Sequence, residues 1–256
     1  MICPNPLTAL VRLKRPVYTG LLLGAGLLAW LTGAAPAWAG IGTVTHVSGV
    51  LVVYRAGGDS RILAPDSQVE QGDVLASEAK SFARIRFNDG GNLLVRPNSR
   101  VTIERYSYDK DKPEGDDVLI NLLKGGMRAI TGAAGKRSQD KHLTTTPTAT
   151  VGIRGTHYGL QQCKADCEGL TTSGGRPLED GLHIDVLSGV IVARNDAGEL
   201  QVSAGQFGFV RNKETPPELR PAELGFLASV PPSMSAPTGA GSTLGLESND
   251  NICVIR

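Results

Sequence analysis

Between residues 40 and 211 the sequence consists of short runs rich in Val, Ile, Leu and Thr, which Gly, Asn, Asp and Pro separate. One run shows the pattern well, because Ala83, Ile85 and Phe87 alternate with two arginines. Such a period of two gives a strand one buried face and one solvated face, whereas a helix needs a period near 3.6. The alternation therefore predicts an all-β domain made of many short strands.

A short segment recurs along this region. Val47–Val52 matches Leu187–Val192, and Leu123–Met127 is a looser copy. Each copy places a glycine between two apolar runs, where a bend needs a positive φ or the absence of a Cβ. A twisted β-solenoid and two stacked sheets would both produce this recurrence. Chance recurrence of Gly-Val in an all-β chain is a third explanation.

The N-terminal region has the features of an export signal. Three basic residues and no acidic ones precede the apolar run Leu21–Leu31, and Pro36 then breaks any helix. An Ala-Trp-Ala sequence follows, which predicts cleavage between Ala39 and Gly40. We therefore expect residues 1–39 to be a signal peptide and the mature protein to be periplasmic or secreted, with membrane contact only during export. A retained membrane anchor is the alternative, since the apolar segment nearly reaches the span of about 20 residues.

The charge balance argues against nucleic acid as a partner. The chain has 26 basic and 25 acidic residues, and removing the signal removes three basic ones, so the net charge changes from +1 to −2. No basic field then remains to attract nucleic acid. Both tryptophans also lie in the signal, which leaves the mature chain without a strong aromatic platform. Residues 40–256 are enough for one domain with a hydrophobic core, and two small domains are the alternative.

Three cysteines, Cys163, Cys167 and Cys253, remain in a compartment where thiols oxidise. The first two lie four residues apart in a loop-like stretch, which predicts a local Cys163–Cys167 disulfide. Zinc is the competing interpretation of paired cysteines, but further His or Cys ligands are not nearby in the sequence. Because three is an odd number, we expect Cys253 to be unpaired or to pair between chains.

The composition changes after Arg211, where prolines recur among Ser and Gly. This change predicts a domain at residues 40–211 and a Pro-rich tail at residues 212–256 that is extended or disordered. Within the tail, Leu219–Val230 could form one short docked helix. The last six residues, 251–256, are apolar enough to add a strand or to contact a partner.

An acidic stretch at Asp109–Asp117 raises the possibility of calcium binding. An EF-hand loop beginning at Asp109 would need glycine where Glu114 stands and a bidentate Glu where Ile120 stands. Two lysines are also interleaved with the carboxylates. We therefore expect a solvated hairpin loop rather than a calcium site.

The sequence contains no motif that marks a catalytic site. It has no Gly-x-Ser-x-Gly elbow, phosphate loop or dinucleotide fingerprint. The four histidines form no metal-ligand doublet; they are His46, His142, His157 and His183. We therefore expect a protein that is not an enzyme and has no catalytic residue, metal or cofactor. A hydrolase that acts on wall polymers through unmarked residues is a less favoured alternative.

One segment resembles the signature of FecR-type periplasmic domains. Val151–Gly159 contains Arg154-Gly155-Thr156 and follows Thr145–Ala149, as in the family's Thr-Pro-x-Ala segment and its apolar, Arg-Gly-Thr, aromatic strand. Further segments agree in order and extend the resemblance over roughly Val44 to Val210; they are Gln71–Leu75, Ala83–Gly90, Leu94–Ser99, Leu122–Met127, Val186–Ala193 and Val202–Gln206. The resemblance implies a twisted β-solenoid of many short strands.

The family's signalling members carry a cytoplasmic anti-sigma segment, a membrane helix and a receptor-contacting domain around this module. In this sequence the segment before the apolar run is short and the C-terminal region is Pro-rich. The resemblance therefore implies the fold more directly than it implies signalling.

Arg154, Gly155 and Thr156 are the candidate binding residues. Arg154 and Thr156 are expected to share one face of a strand, where the planar fork of Arg154 could contact a ligand or partner. The alternative, which we favour, is structural: Arg154 binds turn carbonyls, Thr156 closes a gap between strands, and Gly155 allows close backbone approach.

The leading hypothesis is an exported binding or scaffolding protein whose partner is an envelope protein or a glycan. The second hypothesis is a periplasmic regulator of cell-surface sigma and anti-sigma signalling that acts through a separate membrane partner. Neighbouring genes for a sigma factor and an outer-membrane receptor would favour the second.

Overall fold

The structure is a computed structural model that describes residues 40–167, 169–172 and 175–221. Within these residues the chain forms fifteen strands and a five-residue helix, α1, at Ala133–Arg137. The strands are β1 Gly42–Ser48, β2 Leu51–Tyr54, β3 Ser60–Leu63, β4 Gln68–Val69, β5 Val74–Ser77, β6 Phe82–Phe87, β7 Asn92–Val95, β8 Arg100–Ser107, β9 Asp117–Ile130, β10 His142–Thr145, β11 Thr150–Cys163, β12 Gly181–Asn195, β13 Gly198–Ser203, β14 Phe207–Val210 and β15 Glu218–Arg220. Short 3₁₀ turns lie at Pro113–Gly115 and Gln139–Lys141.

Hydrogen bonding arranges the strands in two runs of neighbours, which we call the first and second layers. The first layer has the order β4-β1-β6-β7-β9-β11-β12-β14-β15, and the second has the order β3-β2-β5-β8-β9-β10-β11-β12-β13. Strands β9, β11 and β12 are long enough to pair in both layers. Between the strands that the structure describes, every pairing is antiparallel except that of β9 with β10. The all-β prediction is therefore confirmed, while the coiled geometry of a solenoid stays a prediction.

The chain bends from one layer to the other at residues with a positive φ. Three of these bends lie inside the long strands, at Gly125 of β9, Gly155 of β11 and Gly189 of β12. Bends between consecutive strands lie at Gly49, Lys80, Asn98 and Gly205. Glycine adopts this left-handed conformation at the lowest steric cost. The recurring segment therefore has a structural cause, because its three copies supply Gly49, Gly189 and Gly125.

Side chains that point inward from both layers form one hydrophobic core. Its largest fully buried members are Leu51, Leu63, Leu75, Ile85, Leu93, Ile103, Leu122, Met127, Ile153, Tyr158 and Leu160. The hydroxyl of Tyr158 lies 3.0 Å from Thr144 Oγ1, so the polar group of this core side chain has a hydrogen-bond partner. The outer faces of the two layers carry the polar side chains that alternate with these core residues.

The ordered domain extends beyond the predicted boundary at Arg211. Strand β15 pairs with β14, and Asn195 Nδ2 donates hydrogen bonds to the carbonyls of Asn212 at 2.9 Å and Thr215 at 2.6 Å. The prediction of an extended or disordered tail from residue 212 therefore needs correction for residues 212–220. Proline-rich composition did not prevent order here, because side-chain hydrogen bonds and a strand pairing fix this segment.

Several predictions fall outside the described residues. The signal at 1–39, including Ala39, and residues 222–256, including Cys253, belong to this group. In the described part of the chain, no helix has the length and apolar character needed to cross a membrane.

Candidate functional site

The residues of the Arg-Gly-Thr segment lie where β11 bends between the layers, but they do not share a face. Arg154 is exposed, whereas Thr156 is only 3% exposed. The pairing of β11 with β12 shifts register between Arg154 and His157. Such an irregularity interrupts the alternation of side chains along a strand. The expectation that Arg154 and Thr156 point to one side is therefore wrong.

Gly155 is required by its backbone conformation rather than by close packing. Its φ is +60°, yet an added Cβ would find only Lys136 Cγ, at 3.9 Å, within 4 Å. Close backbone approach occurs instead at Gly189, where a Cβ would lie 2.6 Å from the carbonyl oxygen of Gly155 and 2.6 Å from Thr156 Cγ2. The close backbone approach expected at Gly155 therefore occurs at Gly189 of the neighbouring strand β12.

Thr156 connects the bend of β11 to the end of β9. The amide of Thr156 donates to Thr131 Oγ1 at 3.2 Å, and the amide and hydroxyl of Thr131 each donate to the carbonyl of Thr156 at 3.0 Å. Both residues are buried. The backbone of Thr156 makes these contacts, and its hydroxyl oxygen has no hydrogen-bond partner among the described residues, so the role expected of the side chain stays a prediction.

Arg154 lies on the outer face of the second layer, at a cleft of about 320 Å³. The cleft is lined by Gln139, Asp140, Leu143, Thr150, Gly152, Arg154, Val192, Arg194 and Glu199. Among the described residues, Arg154 has no hydrogen-bond or ion-pair partner. The hydrogen bonds expected between Arg154 and turn carbonyls are therefore not formed within this part of the chain. Arg194 differs, because its Nε donates to Glu199 Oε2 at 2.9 Å. Arg154 is therefore available to a ligand that enters the cleft.

The floor of the cleft is open because Gly152 has no side chain. In the register of the layer, Gly152 pairs with Leu143 of β10 and with Val192 of β12. An added Cβ at Gly152 would meet nothing closer than 3.8 Å, where Leu143 Cδ2 and the carbonyl oxygen of Val192 lie. The cleft therefore combines an apolar floor with charged side chains on its walls.

The structure contains the predicted disulfide between Cys163 and Cys167, with an S–S distance of 2.01 Å. Leu170 and Leu178 pack against it, and Gln161 Nε2 donates to Cys167 Sγ at 3.4 Å. The disulfide therefore lies against the outer face of the first layer, where Gln161 is buried.

The stretch Asp109–Asp117 forms the connection of the antiparallel pair β8 and β9, as expected for a hairpin loop. Arg137 fixes it, because its Nη2 donates to the carbonyl of Asp109 at 2.8 Å and forms an ion pair with Asp116 Oδ2 at 2.8 Å. Asp116 is buried, so this carboxylate serves the ion pair. Among the described residues, no group of His, Cys, Asp and Glu side chains has an arrangement that could bind a metal ion.

A second cluster, which the sequence reasoning missed, lies on the outer face of the first layer. It contains Arg84, Arg86, Arg96 and Arg128, which we call the basic face. Arg128 Nη2 lies 3.4 Å from Asp185 Oδ2, and Arg96 is only 3% exposed. The alternation of arginines with buried residues in β6 was the available signal, but it did not show which other strands would lie beside β6.

Burial dominates the electrostatics of the basic face. It lowers the pKa of Arg84 and Arg128, and together with repulsion from Arg128 it lowers the pKa of Arg96 to about 10. Burial also raises the pKa of Asp185, although Arg128 acts in the opposite direction. These arginines are therefore partly desolvated cations, which respond strongly to a nearby anion.

The structure is an all-β domain whose strands pass repeatedly between two layers and leave a cleft on the outer face of the second layer. The family model described as "FecR protein" matches residues 73–192, a segment that runs from just before β5 into β12 and includes Arg154-Gly155-Thr156. The chain therefore contains a FecR domain.

Solved structures resemble the chain only weakly. Two crystal structures, at 1.65 and 2.50 Å, are of a "putative anti-sigma factor" from Parabacteroides distasonis ATCC 8503, with a TM-score of 0.43 and 10% identity for each. The similarity covers 59% of this chain and 60% of theirs. A structure described as a cell surface anchoring domain has a TM-score of 0.23 and 23% identity, over 24% of this chain and 80% of its own. No curated protein matches the chain.

Proposed function

We propose that this chain is an exported, non-enzymatic binding protein of the cell envelope, whose FecR domain contacts an envelope protein or a glycan. The observation that carries this proposal is the position of Arg154, exposed at the cleft of the second layer without a partner among the described residues. An arginine in this situation offers a planar fork of donors to a carboxylate or to hydroxyl oxygens.

Export to the periplasm or the exterior is part of the proposal. The basic start, the apolar run Leu21–Leu31 and the Ala-Trp-Ala sequence before Gly40 support it. The Cys163–Cys167 disulfide supports it as well, because such bonds persist in oxidising compartments. The proposed function requires no cofactor, metal or nucleic acid.

The test compares the wild-type protein with Arg154→Ala and with Arg61→Ala, a matched control in β3, at the opposite edge of the second layer. Each protein is immobilised and exposed to envelope extract, and a second sample of extract is treated with protease to separate protein partners from glycans. We expect Arg154→Ala to lose about ten-fold in captured partner, because a charge-assisted hydrogen bond contributes roughly 1.5 to 3 kcal/mol. Its melting temperature should match that of the wild type.

Equal capture by all three proteins would contradict a binding role for Arg154. A lowered melting temperature for Arg154→Ala alone would instead restore the structural role.

A second candidate function is regulation of cell-surface signalling through a separate membrane partner. The match of residues 73–192 to the FecR family supports it. Mass spectrometry of the captured material separates the two candidates. An Arg154-dependent partner that spans the inner membrane and binds a sigma factor would favour regulation, whereas a wall glycan would favour scaffolding.

A further inference from the structure

Two side chains of opposite charge line the cleft of the second layer without binding each other. They are Arg154 and Asp140, and both are exposed. Neither of them has a hydrogen-bond or ion-pair partner among the described residues. The other two charged side chains of the cleft, Arg194 and Glu199, bind each other. Within the described part of the chain, the cleft therefore offers a free cation and a free anion and carries no net charge.

The strand register places these two side chains at the same end of the cleft. Leu143 of β10 pairs with Gly152 of β11, and the two strands are antiparallel. The residues that precede Leu143 therefore run beside the residues that follow Gly152. Asp140 belongs to the 3₁₀ turn that leads into β10, and Arg154 lies two residues beyond Gly152. A ligand at this end of the cleft can therefore contact both charges.

The turn that carries Asp140 is anchored to the loop between β8 and β9. Ser138 Oγ donates a hydrogen bond to the carbonyl of Pro113 at 3.1 Å, and Lys141 Nζ donates to the carbonyl of Glu114 at 2.8 Å. These bonds hold the residues at both ends of the turn. The position of Asp140 beside the cleft is therefore set by fixed backbone.

An apolar strip lies beside the two charges. Leu143, Gly152 and Val192 pair in one row across β10, β11 and β12, and this row spans about 10 Å at the usual strand spacing. Leu143 and Val192 are half-buried, so part of each side chain is open to a ligand. The cleft volume of about 320 Å³ lies at the lower end of the range for small-molecule sites, about 300 to 1,000 Å³. The cleft therefore suits a small ligand with a short aliphatic chain.

We propose that the cleft binds an α-amino-acid head group, with its carboxylate on Arg154, its ammonium group on Asp140 and its aliphatic chain on the apolar strip. This inference rests on the function proposed above, because it names the chemical group that the Arg154 cleft recognises in its partner. Free amino acids carry this group, and so does the side chain of a diaminopimelate residue within a peptide.

The charges of the cleft favour a zwitterion over an ion of one sign. A guanidinium donates two parallel hydrogen bonds to a carboxylate, and an ammonium group donates to the carboxylate of an aspartate. An anion alone would leave Asp140 unpaired and would be repelled by it, and a cation alone would stand in the same relation to Arg154. A neutral sugar would leave both charges without a counter-charge. An amino-acid head group satisfies both, since it carries the two charges on adjacent atoms.

The experiment measures binding of racemic norleucine to the full-length protein by NMR titration. Three further ligands each lack one part of norleucine: hexanoate lacks the ammonium group, pentylamine lacks the carboxylate, and glycine lacks the aliphatic chain. We expect each of them to bind at least about ten-fold more weakly than norleucine, because each loses a charge-assisted hydrogen bond or the apolar contact.

Substitutions assign each part of the ligand to one residue. Arg154→Gln should weaken norleucine binding about ten-fold and leave pentylamine binding unchanged, whereas Asp140→Asn should weaken norleucine binding about ten-fold and leave hexanoate binding unchanged. Gly152→Val should weaken norleucine binding because its side chain covers the apolar strip. Arg61→Gln in β3 is the control and should bind norleucine as the wild type does. Melting temperatures identify any variant that unfolds, and the ligand series on the wild-type protein decides the question without it.

Three results would overturn the proposal. They are the failure of norleucine to bind, binding of hexanoate or pentylamine as tight as that of norleucine, and an equal loss of norleucine binding in Arg61→Gln. A peptide with blocked termini and an internal diaminopimelate residue distinguishes the two sources of the head group. Tighter binding of this peptide than of norleucine supports recognition of a wall peptide, and the reverse order supports recognition of a free amino acid.

The failure of this inference can be told apart from the failure of the proposed function. Capture from envelope extract that depends on Arg154, but that neither norleucine nor the diaminopimelate peptide reduces, would overturn this inference alone. Norleucine binding that Arg154→Gln weakens, together with capture that does not depend on Arg154, would overturn the proposed function alone.

Discussion

The outer faces of the two layers use glycine in opposite ways. In the first layer the space above Gly126 is filled, because an added Cβ would clash with Gln161 Oε1 and lie 2.9 Å from Arg96 Cδ. In the second layer the space above Gly152 stays open and forms the floor of the cleft. A missing side chain on a sheet face thus produces either a buried polar cluster or a cleft, and the neighbouring strands decide which.

The two faces also differ in how their ion pairs meet water. In the first layer the side chains of Arg128 and Asp185 are 20% and 5% exposed, whereas in the second layer those of Arg194 and Glu199 are 70% and 50% exposed. Removing one residue of a buried ion pair leaves the other charge without a partner in a desolvated site, which lowers the free energy of unfolding strongly. In an exposed pair, water solvates the remaining charge and most of this loss disappears. Equivalent substitutions in the two layers should therefore have unequal effects.

The largest effect is expected for Arg128→Met, which leaves the carboxylate of Asp185 buried without its partner. We expect a loss of about 2 to 4 kcal/mol in the free energy of unfolding, somewhat below the range for a fully buried pair. Urea denaturation at pH 7 measures it. The double variant Arg128→Met with Asp185→Leu should recover most of the loss, because it removes both charges. If the free energy of unfolding of Arg128→Met alone stays within about 0.5 kcal/mol of wild type, the Arg128–Asp185 pair is as solvated as the Arg194–Glu199 pair of the second layer.

The pH dependence of Arg128→Met sharpens the same point. Burial raises the pKa of Asp185, and the substitution removes the cation that lowers it. A carboxyl whose pKa is raised in the folded state does not reduce the free energy of unfolding at a pH below its unfolded-state pKa, about 3.9. It becomes increasingly destabilising as the pH rises from that value through the folded-state pKa. The difference in the free energy of unfolding between Arg128→Met and the wild type should therefore be small near pH 4 and reach its full size by pH 7. A gap that stays constant over this range would contradict the assignment to Asp185.

An intermediate effect is expected for Gly126→Ala. The added methyl group would force Gln161 and Arg96 to move, at a cost of about 1 to 3 kcal/mol. Gly152→Ala is the matched control in the second layer, where nothing obstructs the methyl group. It should be neutral or stabilise the protein by up to about 1 kcal/mol, since alanine restricts the unfolded chain. Equal losses for the two variants in urea denaturation would remove the distinction between the faces.

The smallest effect is expected for Arg194→Ala. Its ion pair with Glu199 is exposed on both sides, so the free energy of unfolding should change by less than about 1 kcal/mol. Thermal denaturation at low and high salt measures it, and the difference from wild type should shrink further as salt screens the pair. A loss in the free energy of unfolding comparable to that of Arg128→Met would mean that the Arg194–Glu199 ion pair is less accessible to solvent than the exposed fractions of its side chains indicate.

Much of the fold was predictable because its signals are local. Period-two alternation identified β6, and the recurring glycines at Gly49, Gly125 and Gly189 mark bends between the layers. The short spacing of Cys163 and Cys167 likewise predicted their disulfide. The boundary at Arg211 required correction because hydrogen bonds from Asn195, distant in sequence, order the proline-rich segment.

The sequence by itself determined that this protein is all-β, that glycines recur where strands bend, and that a local disulfide forms, since each follows from neighbouring residues. Only the tertiary structure decided that Arg154 and Thr156 point in different directions, because the bulge arises from pairing with β12. It alone brought Arg84 into one row with Arg128, residues that are far apart in the chain. The physical reason is that alternation assigns a side chain to a face, whereas strand order and register decide which side chains share that face.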